Sequence, residues 1–525
     1  MSNVKVLDCT LRDGGYINNW NFGEKSIFKI LNNLNVSNID YIEVGFLQDC
    51  FYDINKTLFN DLSQIEKFLK DVNSHFSKMV AMIIYGKFNL DKFTPKTKNS
   101  KLDAIRVTFK KNQIENVFDY LEYIKRCGYE LFCNPTNIET YSDFEMLQLI
   151  EKVNQLEPYG FSIVDTNGIL KEQDIQRIFY LVNHNLKDNI KLCFHSHNNL
   201  QLSFSNAQCL IKNSKKREII IDSTVFGMGR GAGNLCTELL TQYINDNYEG
   251  HYDLIPILKI VDEQINPIYA QTPWGYSVPY YLAATNHCHP NYAKYLVDKA
   301  TVPVEAINKL LQSIPNEKKA IFSLDLIKQL YLDKLSNPVE DSGTLEQFSS
   351  FVKDRNILLL APGKTLENEK QVICDFIDKN NPYIISLNFI PNDYHTDLVF
   401  VTNTKRFENL TDINCPLMIT SNIEKYPQKA MVLNYSSYLN DSNMYDNVTL
   451  MLLKIFEKIN IKNVNIAGLD GFSNLQSENY VDKKMINNAK LGEFDERNQV
   501  MSLELSKLNK NIKINILTST RYQVI

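Results

Sequence analysis

Short, nearly unbroken apolar runs punctuate the first half of the chain at Val4–Cys9, Tyr41–Phe46, Met79–Tyr85, Ala104–Phe109, Glu130–Asn134, Gly160–Asp165, Lys191–His197 and Glu218–Val225. Between most of them apolar residues recur at helical spacing, over Glu24–Leu34, Leu58–Val72, Ile114–Cys127, Asp143–Gln155, Glu172–Asn185 and Leu202–Lys212. Strand and helix in alternation imply a parallel sheet with right-handed crossovers. Eight such units in roughly 230 residues predict a closed (β/α)8 TIM barrel rather than an open sheet.

A helical stretch follows, and Ser336–Thr344, polar with Pro and Gly, reads as a linker. A second alternating region then begins, with strand-like runs at Ile357–Ala361, Tyr383–Leu387, Leu398–Thr402, Leu417–Thr420, Ala430–Asn434, Val464–Ala467 and Ile512–Leu517. Helical patterns at Glu367–Asp378, Tyr445–Ile459 and Lys483–Leu508 separate some of them. The expected organisation is an α/β chain: a barrel over 1–248, a helical extension over 249–340 that completes the active site, and a doubly wound Rossmann-like domain over 350–525.

Composition narrows the function classes. The 44% apolar and 22% charged fractions are those of a soluble globular protein. A net charge of −5 gives no reason to expect nucleic acid as a partner, and no apolar run is long enough for a membrane span. Lys5 and Asp8 break up the N-terminal apolar residues, so no signal peptide is expected. Ten cysteines without a C-x-x-C pair, several inside strand-like runs (Cys9, Cys133, Cys193), read as buried free thiols of a cytoplasmic protein.

In a barrel of this kind the chemistry sits where strands end. Strand 1 runs into Asp8-Cys-Thr-Leu-Arg-Asp-Gly-Gly-Tyr16, where Asp13 can ligate a cation and Arg12 can stabilise an oxyanion; a surface salt bridge is the plainer alternative. Strand 7 ends in Phe194-His-Ser-His-Asn-Asn199. Residues two apart on a strand face the same way, so His195 and His197 can bind one ion, and with Asp13 they form a facial set that leaves positions open. Strand 8 leads into Gly227-Met-Gly-Arg-Gly-Ala-Gly-Asn234, a loop whose amides, Gly229 and Gly231 among them, can face an anion. Asn234 is a candidate fourth ligand or a partner of one. Glu43, Arg106 and Thr166 interrupt or close apolar strands and are candidates for substrate binding, with internal ion pairing of Glu43 to Arg12 or Arg106 as the alternative.

These motifs, in this order, resemble the DRE-TIM metallolyase superfamily over about residues 1–300. That group includes 4-hydroxy-2-oxovalerate aldolases, 3-hydroxy-3-methylglutaryl-CoA lyase and the isopropylmalate and homocitrate synthases. Trp274-Gly-Tyr-Ser-Val-Pro-Tyr-Tyr281 looks like the tyrosine-bearing segment of the aldolases, so the aldolase branch fits best. The resemblance implies a carbon–carbon lyase acting on a 4-hydroxy-2-oxo acid through a pyruvate enolate and an aldehyde. It implies Mn²⁺ or Mg²⁺, with Co²⁺ able to substitute, held by Asp13, His195 and His197. Arg12 matches the enolate-stabilising arginine and Tyr276 a proton-relay tyrosine. One position departs: the pyruvate aldolases carry a histidine where this chain has Tyr16. A phenol with a pKa near ~10 is a poor base, and His287 and His289, in Asn286-His-Cys-His-Pro290, are the alternatives, with helix-terminal or surface histidines as the plainer reading.

Other readings are a Claisen-type synthase, a Schiff-base aldolase using Lys87 or Lys110, and a nucleotide-sugar-binding protein on a degenerate barrel. In the C-terminal region Ile357-Leu-Leu-Leu-Ala-Pro-Gly-Lys-Thr-Leu reads as strand, turn and helix, able to cradle a phosphate at the helix N-terminus. Gly468-Leu-Asp-Gly-Phe is a second loop at a strand end. A nucleotide or nucleotide sugar is the partner expected there, against a purely structural role. A homo-oligomer is expected.

Overall fold

The computed structural model describes residues 3–523 apart from 73–75, 215, 300, 412, 441–445, 474, 476–477, 483–484 and 486–492. The chain forms two compact units. The first comprises Met1–Pro290 with Lys319–Ile321, the second Asn291–Lys318 with Phe322–Ile525.

The first unit is a closed parallel barrel of β1 (Val4–Asp8), β2 (Tyr41–Leu47), β3 (Lys78–Ile84), β4 (Leu102–Phe109), β5 (Glu130–Pro135), β6 (Gly160–Asp165), β7 (Lys191–Ser196) and β8 (Ile219–Ser223). Closure comes from β1, which pairs with β8 (Val4 opposite Ile219) and with β2 (Leu7 opposite Tyr41). The segment Leu58–Val72 departs from its helical expectation: Leu58–Phe59 adds a short strand beside β2, and the helix is Leu62–Leu69, capped by the Asp61 side chain on the Gln64 amide.

Side chains alternate between two surroundings along each strand. Outward residues such as Val6, Ile42, Ile105 and Ile221 pack under the helices. Inward residues fill the barrel in layers. The lower layer is apolar, with Leu7, Tyr41, Val80, Ala104, Phe132, Cys193 and Ile220. Two residues further up the same strands stand Cys9, Glu43, Arg106, His195 and Asp222, all buried. The chemistry therefore begins one layer above a dry floor.

In the second unit seven parallel strands lie in one sheet: β9 (Ile357–Leu360), β10 (Tyr383–Leu387), β11 (Leu398–Val401), β12 (Leu417–Thr420), β13 (Met431–Leu433), β14 (Asn463–Ala467) and β15 (Lys513–Ile516). Their order is β13-β12-β11-β10-β9-β14-β15, so the winding reverses between β9 and β14. The last helix is Glu493–Asn509; much of the earlier part of the helical pattern Lys483–Leu508 lies outside the described residues.

The domain limits differ from the sequence reading in two places. Asn291–Lys318, read as part of an extension completing the barrel's site, belongs to the second unit. The linker is shorter than expected, because a helix begins at Ser342 and Asp341 is tied in by the Asn434 amide (2.9 Å) and the Tyr438 hydroxyl (2.7 Å). Among the described residues no helix is long and apolar enough to cross a membrane. Cys9, Cys133 and Cys193 are buried and free.

Candidate active site

Asp13 lies in the turn after β1, where the amides of Arg12 and Asp13 both donate to the Cys9 carbonyl (3.1 and 2.8 Å). His195 is on β7 and His197 just beyond it, both buried, with rings edge to face at 5.3 Å. Asp13 Oδ2 lies 3.8 Å from His195 Nε2 and 3.9 Å from His197 Nε2. That is too long for hydrogen bonds. The three donor atoms converge on one point, slightly wider than the roughly 3.0–3.4 Å that separates neighbouring ligands on a cation with bonds of about 2.1 Å, so a small inward shift would seat an ion.

The surroundings fit a cation. His195 Nδ1 donates to Asp222 Oδ2 at 3.0 Å, which turns Nε2 toward Asp13. Burial pushes the His197 imidazole down to about 3, so it stays neutral and available as a ligand. Burial alone would raise Asp13, but the Arg12 guanidinium and then the two histidines hold it well below the carboxylate range. Asn234 Nδ2 donates to Asp13 Oδ2 at 2.7 Å and to the Met228 carbonyl at 3.1 Å. Asn234 Oδ1 and His197 Nδ1 are buried without hydrogen-bond partners, an arrangement that protein interiors avoid unless something else satisfies it. A second cluster, Cys9 with His195 and Asp222, is less suited. Burial pushes the Cys9 thiol well up, and it donates to the Ser223 carbonyl at 3.3 Å.

Arg12 donates from Nε to Glu43 Oε2 (2.7 Å) and from its NH1 nitrogen to Asp13 Oδ1 (2.6 Å), and lies 5.8 Å from the Phe46 ring centre. Arg106 bonds Glu43 (3.4 Å) on one side and Asp222 on the other. Glu43 and Arg106, candidates for substrate contact, are each 0% exposed. Their observed partners are the neighbouring charges, and the chain Asp13–Arg12–Glu43–Arg106–Asp222–His195 aims the donors from below.

The glycine-rich loop packs closely against two asparagines. A side chain at Gly229 would come within 2.3 Å of Asn234 Nδ2, and one at Gly231 within 2.6 Å of Asn199 Oδ1. The Ala232 amide goes to Asn199 Oδ1 and the Asn234 amide to the Gly227 carbonyl. These glycines let the loop seat on Asn234 and Asn199. Thr166 is at the neighbouring strand end, its hydroxyl oxygen accepting the Asn137 amide at 2.8 Å.

Tyr16 is half-buried against Trp20 and Phe46, with the Arg230 guanidinium 5.2 Å from its ring centre. Burial raises its pKa, and Arg230 only partly offsets this. His289 is pushed down to about 3, by burial first and by Arg230 second. Tyr276 stands apart: it is 58% exposed, and its ring meets Tyr281 edge-on at 6.3 Å. Trp274, two residues before it, is the group that docks on the loop, through Nε1–H to the Phe226 carbonyl at 3.1 Å.

Two residues escaped the sequence reading. Arg230 makes no ion pair among the described residues, yet its charge acts on Asp13, Tyr16, His197 and His289. Its only signal was a cation set between glycines. Glu139, after β5, is pushed up to about 7 by burial and bonds Asn167 at 2.8 Å; nothing in its local sequence marked it.

Fold and site together define a class, the metal-dependent lyases built on a (β/α)8 barrel. Residues 3–262, just under half the chain, match the HMGL-like family, and the barrel is an HMGL-like domain. Among curated relatives, a 4-hydroxy-2-oxovalerate aldolase of Bacillus cereus is 23% identical over 277 residues, 50% of this chain and 76% of the relative. An oxaloacetate decarboxylase of Mycobacterium tuberculosis is 22% identical over 281 residues, 52% of this chain and 79% of the relative. A solved N-terminal domain of a proposed aldolase from Bacteroides vulgatus is 27% identical, covers 58% of this chain and 99% of that chain, and superposes with a TM-score of 0.48.

The tyrosine in place of a basic side chain yields a prediction. Replacing Tyr16 by phenylalanine is expected to leave metal content and the basic limb of the pH–rate profile intact, with kcat within about fivefold of the parent. Loss of a true general base costs about 10²–10⁴-fold, so a fall of that size, absent from Tyr276→Phe and His289→Ala, would make the phenol the base.

Proposed function

We propose that the barrel is a divalent-metal-dependent aldolase that cleaves or forms a 4-hydroxy-2-oxo acid through the enolate of pyruvate and an aldehyde. The observation that carries this reading is the Asp13/His195/His197 set with Arg12 beside it. Mn²⁺ or Mg²⁺ suits one carboxylate and two imidazoles with open positions, and Co²⁺ can substitute. When bound, the cation supplies Lewis acidity to the ketone of a 2-oxo acid. Arg12 keeps its second terminal nitrogen free of hydrogen bonds among the described residues, and this donor meets the oxygen that gains charge as the C3–C4 bond breaks. Glu43 and Asp13 lock the guanidinium in place, so no reorganisation is needed when that charge develops. Arg230 offers an unengaged cation for a substrate carboxylate.

A Schiff-base route has less support, since Lys87 and Lys110 are both exposed. The test is incubation of the metal-loaded chain with pyruvate in D₂O, with and without a panel of aldehydes, sugar-linked ones included. Deuterium in the pyruvate methyl group and a 4-hydroxy-2-oxo acid product are expected. Absence of both with Mn²⁺, Mg²⁺ and Co²⁺ would overturn the reading.

A further inference from the structure

The second unit holds a cavity of about 480 Å³ at the carboxyl ends of its strands. Its floor is the pair of loops after β9 and β14, joined by the Gly363 amide donating to the Gly468 carbonyl at 2.9 Å. These are the strands between which the winding reverses. In open parallel sheets that crevice is where ligands bind, because the two loops diverge there. The volume falls within the range of small-molecule sites, about 300–1,000 Å³.

The phosphate position read from the sequence is already taken. Asp470 accepts the Thr365 amide at 2.8 Å and the Thr365 hydroxyl, so a carboxylate of the protein caps the turn after Pro362-Gly363-Lys364. An anionic ligand must then be met by side chains. Lys299, Arg406 and Arg497 line the cavity. Arg406 is half-buried, makes no ion pair among the described residues, and stands over the Tyr480 ring at 5.6 Å from its centre. Burial lowers its pKa, and Tyr480 and Asp482 only partly offset this, so a guanidinium with no direct carboxylate partner among the described residues is placed to receive an anion.

Carboxylates share the wall. Asp298 is engaged by Lys294 and Asp470 by Thr365. Asp446 accepts from the Tyr331 hydroxyl at 2.8 Å with one oxygen, and Glu496 also lines the cavity. Acceptors beside cations repel a bare phosphate but suit an ester whose hydroxyl groups donate to them. From the cavity, its place at the winding reversal and this mixed lining, we propose that the second unit binds a phosphorylated, hydroxyl-rich small molecule of nucleotide size, with its phosphate on Arg406. The site is independent of the barrel chemistry.

The experiment is calorimetric titration of the full chain with UDP, ADP, glucose 1-phosphate and inorganic phosphate in separate runs. At least one ester saturates a single site with a Kd of roughly 1 mM or tighter, and the preference between the nucleotides and the sugar phosphate identifies the source. Arg406→Gln weakens that ester at least about tenfold, as loss of a charged hydrogen-bond partner does, while the unliganded unfolding midpoint stays in place. Tyr480→Ala, which removes the ring under the guanidinium, is the second variant and weakens the same ester. Lack of saturation by all three esters, binding of inorganic phosphate as tight as that of the best ester, or unchanged affinity in both variants would overturn the proposal.

Discussion

Asp13→Asn is expected to lose the bound divalent cation and about 10²–10⁴-fold of turnover, while the barrel stays folded. The magnitude follows from the several kcal/mol that Lewis-acid stabilisation supplies. Asparagine keeps the shape of the side chain and one acceptor oxygen, enough for Arg12 or Asn234 but not both, so the loss is chiefly one of charge at the point where His195 and His197 converge. Treating the parent chain with a chelator is expected to reproduce the defect, and Mn²⁺ to reverse it in the parent but not in the variant. Metal stoichiometry and kcat measured on the same samples decide the matter. Undiminished turnover in chelator, or substrate trapped on a lysine by borohydride, would sink the metal mechanism.

Arg12→Lys is expected to retain the cation and lose about 10²–10³-fold in kcat. The guanidinium makes two fixed bonds, to Glu43 and Asp13, and still presents a donor nitrogen to the substrate. A lysine ammonium carries the charge but lacks the planar fork, so it cannot hold both carboxylates and keep a donor aimed at a third point. Charge alone would be preserved, which separates geometry from electrostatics. A variant that binds metal and works at nearly the parent rate would remove Arg12 from the role of enolate stabiliser; one that loses the metal would show that its main task is to position Asp13.

The eight barrel strands were legible in the sequence because parallel strands buried on both faces read as near-continuous apolar runs. The histidine pair was legible for a similarly local reason: a strand repeats every two residues, so His195 and His197 had to share a face. Asp13, next to Arg12 at a strand end, could be read in the same way. The seven strands of the second unit were equally open to reading, because each is a short apolar run between polar turns.

What the sequence could not decide depends on which distant segments closure brings together. Glu43 and Arg106 read equally as substrate contacts or as an internal ion pair, since a charge in an apolar strand carries no mark of its partner. Only the barrel, pairing β1 with β8 and β2, sets Arg106 against Asp222 across 116 residues and Asp222 against His195. Composition also hid what the glycine loop packs on: Asn234 and Asn199 lie where side chains at Gly229 and Gly231 would stand. Helical periodicity says that Asn291–Lys318 buries one face, but not against which core, so its place in the second unit emerged only in three dimensions. The crevice beside β9 is of the same kind. Each strand was visible alone, but strand order, which no local pattern encodes, created the winding reversal and gathered Lys299, Arg406 and Arg497 around one cavity. Local spacing thus specified elements and the faces they bury, while pairings between residues far apart in sequence depended on chain closure and packing.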